Sequence, residues 1–276
     1  MLLKIAAVIG VGMLVLLAVG WLGLRINAKS FEVTDAESAD PGTVPVPDDL
    51  PEPVARYVEA AFGGEMPVIE SALVQGNARL TFNGITFPGR FKFYHDAGAA
   101  YYHYIQLTWF GVPIITVNER YMDGVAIMDL PGDRIEDNPQ TNAAAHLALW
   151  AESIWLPSIL FVDDGVRWEA VDDTTAHMIV PGSAPEEVFT VHFDPATGLI
   201  TEMSTMRYQN PASTERTLWI NRVIKWQSFN GVMLPAVAEL QWGNDDPWAT
   251  WDVEAIRYNI DLSARFAQFG GDYQGR

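Results

Sequence analysis

The chain opens on an apolar run: from Ile5 to Leu24 no charged residue intervenes between Lys4 and Arg25. Roughly 20 helical residues at about 1.5 Å each cover about 30 Å, the thickness of a bilayer's hydrocarbon core. In hydrocarbon every backbone amide must be bonded within the segment, so the predicted element is a transmembrane helix over residues 5–24, with Trp21 at the interface. A cleaved signal has a shorter apolar core and ends at a small-x-small site. Here the run passes into Leu24-Arg25-Ile26-Asn27-Ala28-Lys29 without one, which favours retention as a signal-anchor. Lys4 on one side and Arg25 and Lys29 on the other leave the positive-inside count nearly tied. The signal-anchor architecture favours an extracytoplasmic domain.

Past the helix the pattern changes twice. Glu32 to Pro53 carries seven acidic residues and no basic one, and ends in PVPDDLPEP. Such a stretch cannot bury enough apolar surface to offset its ordering entropy, and its prolines stiffen it into a spacer. From Glu52 to Phe62, residues Val54, Tyr57, Val58, Ala61 and Phe62 recur at helical spacing, with Pro53 in the first turn and Gly63-Gly64 as the stop. After that the period is two. Segments 71–82, 87–95, 99–109, 113–122 and 125–129 read as strands, separated by Asn83-Gly84, Asp96-Ala97-Gly98, Gly111 and Asp123-Gly124. A second helix is predicted over Thr141 to Trp155, ended by Pro157, with too many apolar positions for a narrow stripe. Strands resume at 166–171, 176–180, 187–193, 199–208, 217–229, 232–242 and 249–258, with turns including Pro181-Gly182 and Asn230-Gly231. The predicted fold is mainly β: one large, curved, half-barrel-like antiparallel sheet with two helices packed on its concave face, plus the N-terminal transmembrane helix. The expected division is an anchor over 1–29, a linker over 30–53, a globular domain over 54–262 and a tail over 263–276.

Charge and composition narrow the partners. A formal net charge of -18 makes nucleic acid and anionic lipid head groups unfavourable. The absence of cysteine ties the chain to neither redox compartment.

The stretch LWAESIWLPSILFVDDGVRWEAVDD, followed by VHFDPATGLITEM and FNGVMLPAVAELQW, resembles a bacterial family built from an N-terminal membrane helix and a β-rich domain. The matching positions are Trp150, Ala151, Glu152, Trp155, Pro157, Gly165, Val166, Arg167 and Trp168. Ser158 stands where that pattern usually has Thr, and Val162-Asp163 where it tends to have Pro. The resemblance implies a fold and carries no activity. More loosely, a curved sheet with helices in its hollow is similar to periplasmic lipoprotein carriers.

Candidate chemistry is sparse. No Ser lies in a G-x-S-x-G elbow, and no Gly-rich phosphate loop joins a strand to a helix, so neither a catalytic residue nor a cofactor is assigned. His95, His103, His146, His177 and His192 lack metal-site spacing, so a metal centre would have to be assembled from distant strands, and none is assigned. The histidines His177 and His192 could meet across one hairpin, but exposed strand histidines are the commoner case. Glu152 and Arg167 fall among tryptophans, and their expected structural role is a buried ion pair, the functional alternative being a polar anchor in a ligand pocket. The candidate ligand-binding set is therefore Trp109, Phe110, Trp150, Glu152, Trp155, Arg167 and Trp168. Three functions stay open: a non-enzymatic, membrane-held domain that binds a lipid or other hydrophobic molecule, which is favoured; an accessory subunit of an integral membrane complex; and an enzyme using acidic residues such as Glu152. No nucleic-acid partner is expected.

Overall fold

The computed structural model describes residues 1–32, 41–183, 185–229 and 231–267. The stretch 33–40 of the expected spacer, Asn230 of the expected Asn230-Gly231 turn and the end of the expected tail, 268–276, lie outside the described residues. In chain order the elements are α1 (Leu2–Gly23), β1 (Thr43–Pro45), α2 (Glu52–Phe62), β2 (Glu65–Pro67), β3 (Ser71–Phe82), β4 (Ile85–Asp96), β5 (Ala100–Trp109), β6 (Val112–Met122), β7 (Val125–Leu130), β8 (Asp133–Glu136) and α3 (Pro139–Glu152). A single 3-10 turn (Ser153–Trp155) leads to α4 (Ile159–Val162), β9 (Arg167–Asp172), β10 (Thr175–Val180), β11 (Glu187–Phe193), β12 (Ile200–Arg207), β13 (Thr217–Phe229), β14 (Val232–Trp242), β15 (Ala249–Tyr258) and α5 (Ser263–Ala267).

Thirteen of the strands form one antiparallel sheet in the order β8-β7-β6-β5-β4-β3-β15-β14-β13-β12-β11-β10-β9. Two meanders, β3 to β8 and β9 to β15, are joined where β15 pairs with β3. The edge strands β8 and β9 do not pair with one another, so the sheet is open. The tight hairpins follow from their turn residues: Asn83-Gly84 and Asp123-Gly124 have φ of 50° and 77°, and 52° and 80°. These are the two left-handed positions a type I′ turn needs, which glycine adopts without steric cost.

The period of two divides the side chains between faces. On β3, Ala72, Val74, Ala78 and Leu80 join the main core, while Leu73 points to the other face and packs with Tyr94, Tyr102 and Phe266 of α5. The main core lies beneath α2 and α3. Helix α2 buries Val54, Tyr57, Val58 and Ala61 against it. Asn138 caps α3, its side-chain oxygen accepting from the Thr141 amide at 3.0 Å, and nearly the whole circumference of the helix from Ala144 to Ala151 is buried. Below α3 the chain is pinned by the Trp155 indole donating to the Pro235 carbonyl at 3.0 Å and by the Tyr258 hydroxyl donating to the Trp155 carbonyl at 2.8 Å.

The segment read as a spacer is tied to the domain near both ends. Ser30 donates to Glu254 at 2.8 Å, and β1 pairs with β2, Thr43 opposite Pro67. Helix α1 covers residues 5–23 of the expected segment 5–24, and its end is held at the β5–β6 turn: the Phe110 amide donates to the Gly23 carbonyl and the Trp109 indole to the Gly20 carbonyl, both at 3.0 Å. Among the described residues no helix is long and apolar enough to cross a membrane.

Candidate functional site

Between α3 and the sheet lies a cavity of about 410 Å³. Its wall is mainly apolar: Leu80 and Phe82 from β3, Phe93 from β4, Ile105 from β5, Val117 from β6, Met128 and Leu130 from β7, and Trp219, Trp242, Trp248 and Trp251 from the other half of the sheet. The charged and strongly polar lining comprises His103, Glu119, Glu152, Arg207 and Gln209, with Thr81 farther along β3. A smaller recess lined by Glu152, Trp155, Pro235 and Trp251 adjoins it.

The polar group is assembled by register. Pairing of β4 with β5 sets His95 opposite Tyr101 and Phe93 opposite His103, and pairing of β5 with β6 sets His103 opposite Glu119. Phe93, His95, Tyr101, His103 and Glu119 therefore share the face that α3 covers, and Glu152, at the last turn of α3, comes down onto them. Nε2 of His103 lies 2.7 Å from a Glu152 oxygen, and Nδ1 of the same ring faces Glu119 across 3.9 Å. The Tyr101 hydroxyl donates to Glu119 at 2.5 Å, and its ring stacks on His103 with centroids 4.1 Å apart. Arg207 enters from β12, its guanidinium 4.5 Å from the centre of the Trp219 ring and its Nε donating to the Ala144 carbonyl at 3.0 Å.

Electrostatics follow from this crowding. Burial opposes a charge on His103, but the Glu152 and Glu119 carboxylates outweigh it and lift the imidazole to about 9. Glu152 is also pushed up, because burial outweighs the attraction of His103, so the pair holds its proton tightly. Burial raises Glu119 as well, yet the attraction of His103 and the hydrogen bond from Tyr101 win and bring it down. His95 goes well below the usual imidazole range through burial and the charge of His103 beside it, and is neutral.

The residues singled out from sequence are scattered by the fold. Glu152 lines the main cavity and Trp155 only the recess. Trp150 is buried in the core. Trp109 and Phe110 sit half-exposed at the β5–β6 tip against α1. Trp168 stacks on Phe161 and donates to the Leu160 carbonyl at 2.9 Å. The expected Glu152–Arg167 ion pair does not form: Arg167 is exposed on edge strand β9 and pairs with Glu186 at 2.8 Å, because the side chain at the start of that strand points to solvent. Across the β10–β11 hairpin, His177 stands opposite Thr190 and His192 opposite Thr175, so these two histidines are not paired. Sequence reasoning missed the roles of His95, His103, Glu119 and Arg207. A usable signal was the Asp96–Gly98 turn, which puts the flanking histidines in the same parity and on one face.

Fold and site together define a large antiparallel β-sheet domain with an aromatic-walled cavity between α3 and the sheet and a His/Glu/Arg group on its wall. The chain belongs to a family of unknown function, DUF6544, whose pattern matches residues 43–253. No curated protein matches it by sequence. Similar solved structures include a DUF1329 family protein from Desulfovibrio piger (12% identity, TM-score 0.43, covering 76% of this chain and 93% of that one). A LolA superfamily protein from Nitrosomonas europaea is similar at 10% identity and TM-score 0.43, covering 80% of this chain and 97% of that one. A domain from Vibrio parahaemolyticus described as outer membrane lipoprotein-sorting is similar at 9% identity and TM-score 0.41, covering 75% and 89%.

Proposed function

We propose that this domain holds an apolar, lipid-like molecule in its main cavity, and that α1 anchors it in a bilayer with the globular part on the extracytoplasmic side. The observation that carries the reading is the cavity wall, where four tryptophans and several aliphatic side chains surround about 410 Å³ and the charged groups gather in one place. Small-molecule sites are of this kind: roughly 300–1,000 Å³, mostly apolar, with a few convergent polar groups.

A half-barrel curvature of the sheet is part of the proposal. Met128 on β7 and Arg207 on β12 line the same cavity although eight strand steps separate them. At about 4.8 Å per step a flat sheet would set them roughly 40 Å apart, which supports a sheet that wraps around α3.

The position of the cavity favours delivery from a membrane. Leu80 and Phe82 at the end of β3 and Trp242 at the end of β14 belong, by register, to the same end of the sheet as the Trp109–Phe110 tip that holds α1. Phe82, Ile85, Trp109, Phe110, Val112 and Ile114 are exposed at that end. On α1, Val8, Leu14, Leu16 and Leu17 are each two-thirds exposed or more, which suits a helix surrounded by lipid better than one in water. The test is native mass spectrometry of the full chain extracted in mild detergent, with a fluorescent fatty acid as the added probe. A co-purifying lipid mass, or saturable probe uptake quenching tryptophan emission, is expected. An empty domain that also refuses the probe would remove the ligand reading. Release of the chain by alkaline carbonate would remove the anchor.

A further inference from the structure

The hydrogen bonds of the buried polar group leave one atom unexplained. His95 is 1% exposed, and its Nε2 has no hydrogen-bond partner among the described residues. It lies 3.3 Å from the Glu152 oxygen that His103 already engages, off the direction a hydrogen bond needs. A buried, neutral ring nitrogen without a partner is costly, and a native interior rarely keeps one without a use for it. A His103–Glu152 hydrogen bond alone accounts for two of these side chains and not for the third.

We propose that His95, His103 and Glu152 form a binding site for one divalent transition-metal ion, of which Zn²⁺ is the type. One ligand atom from each residue lies within 4.8 Å of the others. Tetrahedral bonds of about 2.0–2.2 Å put ligand atoms a little over 3 Å apart. The His95–Glu152 separation of 3.3 Å already meets that spacing, and the 2.7 Å contact of His103 with Glu152 opens by about half an ångström when the ion replaces the shared proton, which leaves to solvent. Two imidazoles and one carboxylate are a borderline nitrogen and oxygen set that suits zinc, cobalt and iron and excludes magnesium and calcium.

Two further observations fit a metal rather than a plain hydrogen-bonded cluster. Behind His103 stands Glu119, itself held by the Tyr101 hydroxyl, in the carboxylate–histidine–metal order that fixes a ligating ring and raises its basicity. His103 and Glu152 also line the cavity, so the ion's remaining coordination position faces it and takes water or the anionic end of a bound molecule. The site does not depend on what fills the rest of the cavity, and its test is separate from that of the ligand.

The experiment uses the untagged full chain in detergent, stripped with a chelator, dialysed to about pH 8 and loaded with Zn²⁺ or Co²⁺ alone. Wild type is expected to retain about one Zn²⁺ per chain through gel filtration, and the Co²⁺ form to show the intense visible absorption of a low-coordinate nitrogen and oxygen site. His95→Gln should lose tenfold or more in Zn²⁺ affinity at an unchanged metal-free melting temperature, and Glu152→Gln should lose as much while also lowering that temperature, because it removes the partner of His103. Glu119→Gln should lose about 10–100-fold as an outer-shell partner. Should the variants fail to fold, the wild-type Co²⁺ spectrum decides, since only the weak absorption of the hydrated ion would overturn the site. Equal Zn²⁺ retention by wild type and a folded His95→Gln variant would overturn it as well.

Discussion

Filling the cavity from α3 separates a functional void from imperfect packing. Ala148 lines the cavity and is 5% exposed, so Ala148→Leu directs three extra carbons into it. Burying each carbon contributes about 0.8 kcal/mol, or about 2.4 kcal/mol for the three. Lost rotamer freedom takes back about 0.5–1 kcal/mol, and the change in helix propensity is a few tenths. The net expectation is a gain of about 1.5 kcal/mol, which for a domain of this size raises Tm by about 3–6 °C. The same carbons occupy space the ligand needs, so the fatty-acid probe should bind at least tenfold more weakly, a loss of about 1.4 kcal/mol. Urea unfolding and probe titration of delipidated wild type and variant measure both quantities. Opposite signs, more stable and less able to bind, identify a void kept for function. A destabilisation of about 1–3 kcal/mol, as in an overpacked core, would refute the claim that the space exists. A stabilised variant with undiminished probe binding would refute the claim that the ligand sits there.

The other predictions concern the supports of the site. Trp155→Ala removes a 4%-exposed indole and its bond to the Pro235 carbonyl, and should cost about 3–5 kcal/mol in urea unfolding. Arg216→Met strips the two-pronged partner, at 2.6 Å on each oxygen, from Glu187, whose side chain is 8% exposed. Because Arg216 itself is 28% exposed, a loss of about 2–4 kcal/mol is expected, and the Arg216→Met/Glu187→Gln double variant should recover more than half of it. Arg167→Ala breaks a solvent-exposed pair with Glu186 and should leave the melting temperature and probe binding unchanged. Gly23→Val puts a Cβ within 2.6 Å of the Phe110 ring and into the Trp109 indole, so α1 should leave the hairpin tip, measured as faster proteolysis between residues 24 and 32 with the domain's melting temperature unaltered.

What could be read in the sequence tracks how local each cause is. The alternation of β3, the Asn83-Gly84 turn and the 11-residue helix α2 with its Gly63 stop all lie within short windows, and each forms over the expected residues. Strand β8, Asp133-Arg134-Ile135-Glu136, was not legible because an edge strand with one apolar residue carries no period to detect. Strands β1 and β2 are three residues each and contain prolines, so nothing but their mutual pairing marks them.

The site was legible only in one residue, and the reason is geometric. Glu152 stood out because tryptophans surround it in sequence, but its partners lie on β4, β5, β6 and β12, and strand parity fixes a face without saying which element covers it. Arg167 stood out for the same reason and is exposed, since neighbours in sequence on a strand alternate between core and solvent. Sequence proximity to aromatic residues thus marks a buried charge on a helix such as α3, most of whose circumference is packed, and fails on an edge strand such as β9, five of whose six positions are exposed. The reliable signal is parity across a turn: His95 and His103 flank Asp96–Gly98 as diagonal neighbours on one face of a hairpin, and residues so placed can converge beneath a helix laid across the sheet.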